Sequence, residues 1–381
     1  MSRIGLPQVT PGDGSRHALS GTGLVVEDLP KVSLHDHLDG GVRPSTIVEL
    51  AHAAGIDVPA SDADALNAWV RANADSGNLV DYLATFSVTL SVMQSATNLE
   101  RIAREFVEDL VADGVVYGEV RWAPELHTES GLSFDEAIDA VTAGVDAAVA
   151  AARTSGRTIR VGQLLCAMRQ NDNFDRVAEL AIERRDRGVV GFDIAGPEAG
   201  FPASRLASAF ALLDAAWMPR TVHAGEADGL ASIEGALLDG RALRLGHGVR
   251  ITDDIEVDDA DGTMTRVTLG SLAEWVRNRG IALETCPTSN VHTNAFARFG
   301  STIADHPFEL LYQLGFAVTV NTDNRLMSGT SLSREIANLV DVFGYDLDDV
   351  LTWQLTAANA AFLPVEDRAE LAAFLERAYD L

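Results

Sequence analysis

Lysine is almost absent from this chain: of its 29 basic side chains only Lys31 is a lysine, and arginine supplies the rest. Cysteine is nearly as scarce, with Cys166 and Cys286 alone in 381 residues. Two thiols in so long a chain, each inside an apolar strand-like run, make no disulfide framework and point to a reducing compartment. Positive charge is short as a whole, 29 Lys and Arg against 56 Asp and Glu, for a net charge of −27. A nucleic acid or an anionic membrane would call for basic patches, so neither is expected as a partner. No run is apolar and long enough to span a membrane. Residues 1–25 are polar and rich in Gly and Pro, without the basic start and apolar core of a signal peptide. They read as a flexible extension of a cytoplasmic protein.

What is present is a large apolar fraction, 47%, enough for a sizeable core. Short β-rich runs alternate with longer helical patterns. The runs are KVSLHDH (31–37), VVYGEV (115–120), TIRVGQLLC (158–166), VVGFDIAG (189–196), RTVHAG (220–225), LRLGHG (243–248), IALETC (281–286) and FAVTVNTD (316–323). Helical spacing falls at about 45–54, 62–73, 79–94 and 97–113 after the first run, and then once between each pair of later runs. Further helices extend to the C-terminus. Strand–helix alternation implies a parallel sheet, and eight units in one chain imply a closed (β/α)8 barrel. The fold class expected is therefore α/β, a TIM barrel with extra helices inserted after strand 1 and at the C-terminus. No Gly-x-Gly-x-x-Gly follows a strand, which counts against a dinucleotide-binding open sheet. No linker divides the chain, so residues 26–381 read as a single domain, with the acidic stretch 253–261 as a solvated loop.

Barrel enzymes build their sites at the carboxyl ends of strands. On this scheme His35 and His37 end strand 1, His223 ends strand 5, His247 ends strand 6 and Asp323 ends strand 8. Strand alternation turns His35 and His37 to one side and Asp36 to the other. Singly, each has a bland reading: Asp323 as a helix cap, His247 between glycines as a turn residue. Together they put four histidines and a carboxylate on one face, and three histidines plus one carboxylate, with a place left for water, is what a catalytic zinc site needs. His17, His52, His127, His292 and His306 have no such placement and read as surface or packing residues.

LPKVSLHDHLDG, GVVYGEVRWAP, FDIAGPE, HAGE, GHG, CPTSN, VNTD and NAAFLP occur in the order and spacing of adenosine deaminases. From about Leu29 to the C-terminus the chain resembles that family, part of the wider amidohydrolase superfamily. The resemblance implies one Zn2+ per subunit, held by His35, His37, His223 and Asp323. It implies Glu226 as the acid that protonates purine N1, and His247 as the residue that holds and helps deprotonate the attacking water. Asp323 would help orient that water. His37, Asp39, Gly196, Asn324, Tyr82, Leu83 and Phe86 fall at substrate positions. Gly196 would offer its N–H to N3, Asp39 would meet a ribose hydroxyl, and Tyr82, Leu83 and Phe86 would form an apolar lid. By periodicity alone those last three are ordinary helix core.

The reaction implied is hydrolytic deamination of adenosine or 2′-deoxyadenosine to the inosine nucleoside and ammonia. Its partners would be a purine nucleoside and water, and the reading leaves room for a homodimer. Many relatives bridge two metals through a carboxylated lysine on the fourth strand. With Lys31 as the sole lysine that bridge is impossible here, whereas a carboxylate-bridged pair stays open. The family's usual Asp-Asp-Pro is Asp323-Asn324-Arg325 in this chain. Asparagine carries an amide donor suited to N7 without a raised pKa, although it could instead cap the following helix. The alternatives are deamination of adenine or aminodeoxyfutalosine, or a catalytically silent metal-binding protein. Retention of Glu226 and His247 argues against the silent protein.

Overall fold

A computed structural model describes residues 16–19, 22–258 and 266–380. Ten strands are present among them: β1 (Lys31–His37), β2 (Val115–Trp122), β3 (Arg160–Met168), β4 (Val189–Ala195), β5 (Thr221–Ala224), β6 (Arg244–His247), β7 (Ile255–Asp258), β8 (Arg266–Leu269), β9 (Ala282–Thr285) and β10 (Val318–Val320). All eight runs read from the sequence are strands. They form two parallel four-stranded arcs, in the orders β1-β2-β3-β4 and β10-β9-β6-β5. Single parallel bridges join the arcs at both seams, Asp36 to Asp323 and Phe192 to Arg220. At the first seam His37 N–H donates to Asp323 O at 2.8 Å and Asp323 N–H donates to His35 O at 2.9 Å. The closure of the barrel thus runs through the metal-ligand candidates themselves.

Helices cover the strands. Their apolar faces give the core, and capping residues set their starts: Ser133 and Glu136 form a reciprocal capping box at the head of Phe134–Thr154. That helix lies close against Ala96–Ala112, where a Cβ on Gly144 would come within 2.2 Å of Glu100 O. No helix of the described residues is long and apolar enough to cross a membrane.

The structure differs from the sequence reading in two places. The stretch 79–94 is two short helices, Leu79–Ala84 and Phe86–Ser91. Thr85, Ser87, Thr89 and Ser91 each donate their hydroxyl to the carbonyl three residues back, a local bond that competes with a regular helix. The acidic stretch 253–261 is not simply a loop, because β7 pairs antiparallel with β8. Acidic Glu256 and Asp258 sit exposed in a two-stranded ribbon whose 259–261 end lies outside the described residues. Of the stretch 1–25, residues 1–15, 20 and 21 lie outside them too. Ala18 bridges Val25, and His17 packs its ring nitrogen 2.7 Å from Glu27.

Lys31 is fully buried and donates to the carbonyls of Val26 and Leu29. Burial pushes its ammonium from 10.5 down to about 8. Between those values the unfolded chain holds a proton that the folded chain has lost, so stability rises with pH across that window. In urea titrations, wild type should gain on Lys31→Met by ~1 kcal/mol per pH unit between pH 8 and 10. A gap that stays constant would refute this.

Candidate active site

The His-Asp-His of β1 alternates as expected. His35 and His37 face the barrel mouth, while Asp36 turns away to lie 2.9 Å from the Arg325 guanidinium. His223 arrives from the end of β5, and Asp323 from just beyond β10 with φ +58°. His37 Nε2 and His223 Nε2 stand 3.3 Å apart. Asp323 Oδ1 lies 3.3 Å from both His35 Nε2 and His37 Nε2. One ligand atom from each of the four residues falls within 4.8 Å of all the others. Imidazole nitrogens facing one another this closely, with a carboxylate oxygen among them, fit a shared cation. Three nitrogens and one carboxylate oxygen are a donor set suited to zinc.

Behind the ligands lies a second layer of buried charge. His35 Nδ1 faces Glu284 Oε2 at 3.1 Å, and His223 Nδ1 faces Asp193 Oδ2 at 2.9 Å. A carboxylate at that distance favours the proton on each Nδ1, which would leave the Nε2 lone pairs for a cation. Arg121 ties the layer together, donating to Asp193 at 2.8 Å, to Glu284 at 2.8 Å and to Leu34 O. Burial works against the Asp193 charge, yet His223 and Arg121 hold its carboxyl below the ordinary range. Glu284, facing Arg121 and Arg244, is likewise held well below it against its burial.

Glu226 follows β5 in the HAGE turn and is 5% exposed. Burial raises its carboxyl well above the ordinary value, reinforced by Asp323 and Glu198. Its Oε1 has no hydrogen-bond partner, and its Oε2 lies 3.5 Å from His247 Nε2. The turn is held by Glu198, whose carboxylate accepts the N–H groups of Gly225, Glu226, Ala227 and Asp228 and the Ser232 hydroxyl. His247 ends β6 with φ +61°, so it does form a turn with Gly248 while presenting its ring to the site.

A cavity of about 390 Å³ opens over these groups. His37, His223, Glu226, His247 and Asp323 line it, as do Asp39, Gly196, Asn324, Tyr82, Leu83 and Phe86. His35 lies beneath, with no exposure. Asp39 is buried, and burial raises its carboxyl to about 7. Gly196 has φ +94°, and a Cβ there would come within 2.4 Å of Gln170 Oε1. Asn324 makes no cap to the following helix Arg325–Ser328, and its Oδ1 is buried without a partner. Tyr82 turns its hydroxyl towards Ser328 at 3.4 Å.

The sequence reading assigned no role to Arg121, Asp193, Glu198, Glu284, Ser289, Asn290 or His306. Ser289 donates to Asp323 Oδ2 at 2.6 Å and so holds that ligand. The signal for this second layer was available: charged residues inside otherwise apolar strands, as in VVYGEVRW and IALET, point into the barrel.

Fold and site together define a barrel of the amidohydrolase type, with a metal-ligating cluster at the carboxyl ends of its strands. The profile of the adenosine deaminase family matches residues 30–378, and the chain belongs to that family. It is 50% identical over 344 residues to an adenosine deaminase of Mycobacteroides abscessus, covering 90% of this chain and 93% of that one. With adenosine deaminase 1 of Streptomyces coelicolor it shares 53% identity over 340 residues, 89% and 84% of the two chains. Among solved structures, the Arabidopsis N6-mAMP deaminase superposes with a TM-score of 0.77 at 27% identity, over 92% of this chain and 99% of that one.

Proposed function

We propose that this protein hydrolytically deaminates adenosine and 2′-deoxyadenosine, with one zinc ion held by His35, His37, His223 and Asp323. Zinc in that position supplies Lewis acidity that makes water nucleophilic near neutral pH. The rest of the task falls to side chains. Addition of water at C6, its proton passing to the Asp323 carboxylate, breaks the ring's aromaticity and drives electron density onto N1. Glu226, kept protonated by its burial, donates to N1 as that density arrives. His247, beside Glu226, holds the attacking oxygen. Collapse of the adduct then returns the Asp323 proton to the 6-amino group, which leaves as ammonia, while the C6 hydroxyl proton restores Glu226. Gly196 presents its N–H to N3, where any side chain would crowd Gln170.

Asn324 offers its amide to N7, a donor available at any pH. Asp39 accepts a ribose hydroxyl, and its ionised form, which burial confines to pH above about 7, disfavours a 5′-phosphate. Tyr82, Leu83 and Phe86 cover the base and sugar and exclude bulk water. The buried, free thiols of Cys166 and Cys286 support a cytoplasmic setting. The observation that carries the reading is the buried Glu226 carboxyl, unpartnered at Oε1, beside the four-residue ligand cluster. Loss of the adenine absorbance band tests it, on a panel of adenosine, 2′-deoxyadenosine, adenine, AMP, N6-methyl-AMP and aminodeoxyfutalosine. The nucleosides should turn over fastest. Turnover of adenine alone would overturn the substrate assignment, and turnover of none would favour a silent metal-binding protein.

A further inference from the structure

The site residues account for one nitrogen of His247, and the other leads away from the cavity into a buried chain. Asn290, on the short helix Pro287–His292 after β9, places Nδ2 3.0 Å from His247 Nδ1. Its Oδ1 lies 3.2 Å from His306 Nε2. His306 closes the turn Ile303–Asp305, and all three side chains are at most 2% exposed. Ring-nitrogen protons and amide orientations must be inferred from partners, and here the partners decide them.

Two backbone N–H groups, whose polarity is fixed, bond to this chain, one at its His306 end and one at Asn290 in its middle. Phe308 N–H donates to His306 Nδ1 at 3.1 Å, so that nitrogen is the acceptor. Burial holds the His306 imidazole down at about 3, so it is neutral and its one proton is on Nε2. That N–H donates to Asn290 Oδ1. Cys286 N–H reaches the same oxygen at 3.3 Å, so both its donors require oxygen there. A flipped amide would set N–H against N–H twice. The Asn290 amide nitrogen therefore points at His247 and donates to Nδ1, which must supply a lone pair.

We propose that Asn290 and His306 are positioning residues that fix His247 as its Nε2–H tautomer, so that it faces the cavity as a hydrogen-bond donor. In this form the cavity-facing nitrogen holds the attacking oxygen by donating to a lone pair, and has no lone pair of its own to take a proton. His247 thus keeps the holding role that the family resemblance implied and loses the share in deprotonation. The contact of 3.5 Å from His247 Nε2 to Glu226 Oε2 has the same polarity. The inference rests on the deaminase reading only for the identity of that oxygen; the tautomer itself follows from the protein's own bonds.

Nitrogen-15 NMR of the zinc-loaded enzyme, labelled at histidine, reads the tautomer directly, with His247 assigned from the signals lost in His247→Asn. Wild type should show a protonated Nε2 and a bare Nδ1. Asn290→Asp replaces the donor with an acceptor, so the two shifts should exchange. Its kcat should fall by ~10²-fold or more, with KM and zinc content little changed. His306→Gln, which retains an N–H for Asn290 Oδ1, should keep the wild-type shifts, while His306→Leu should broaden or mix them. The His306 pair serves if Asn290→Asp does not fold. A bare Nε2 in wild type, or His306→Leu and Asn290→Asp with wild-type shifts, would overturn the proposal. If wild type shows the Nε2–H form but deaminates nothing on the panel, the reaction assignment falls and this inference stands.

Discussion

Glu226→Gln leaves the ligand cluster whole and removes turnover. Glutamine keeps the shape and the hydrogen-bond reach of the side chain but has no acidic proton for N1. General acid catalysis is typically worth about 10²–10⁴-fold, so kcat should fall by at least ~10²-fold. Glu226 groups with His247 and Asp323 but lies outside the four residues His35, His37, His223 and Asp323 that would hold the zinc, so metal content measured by plasma emission should be unchanged. Stability should hold or rise, because a buried carboxyl beside Asp323 and Glu198 gives way to a neutral amide. Substantial activity in the variant would remove the acid from the mechanism. Metal lost along with activity would make Glu226 a ligand instead.

Arg121→Met should be the most damaging substitution away from the cavity. The guanidinium neutralises Asp193 and Glu284, and all three side chains have no exposure. Methionine fills much of the volume but leaves two ionised groups buried without their shared partner. Breaking a buried pair in this way costs about 3–5 kcal/mol. Arg244 still reaches Glu284, at 2.6 Å, which places the loss toward the lower end and puts its weight on Asp193. The effect passes to the metal through His223 and His35, whose orientation those carboxylates set. Loss of such outer partners typically weakens metal binding 10–100-fold. Denaturant melts with and without zinc, together with competition against a chelator, measure both. An Arg121→Met enzyme as stable and as retentive of zinc as wild type would show the layer to be mere packing.

Much of this molecule could be read along the chain because its chemistry is written in alternation. The eight apolar runs announced eight strands, and a period of two put His35 and His37 on one side of β1 with Asp36 on the other. Reactive residues at strand ends named the site, since a parallel barrel collects those ends on one face whatever the details of its packing. The stretch 79–94 was misjudged as one helix because apolar spacing is silent about hydroxyls that bond back to the carbonyls of the preceding turn. The β7–β8 ribbon was hidden because charge, the feature that drew attention to 253–261, marks exposure without distinguishing strand from loop.

The sequence by itself therefore determined the barrel and the face on which His35, His37, His223 and Asp323 meet, since these depend on local periodicity and chain order. Only the tertiary structure decided who stands behind each histidine. Arg121, Asp193 and Glu284 come from three strands, Asn290 from a short helix and His306 from a separate turn. Hydrogen-bond polarity between such distant groups depends on angstrom-scale approach, which no spacing along the chain encodes. Which nitrogen of His247 carries a proton is fixed by the backbone N–H groups of Cys286 and Phe308, and only packing brings them there.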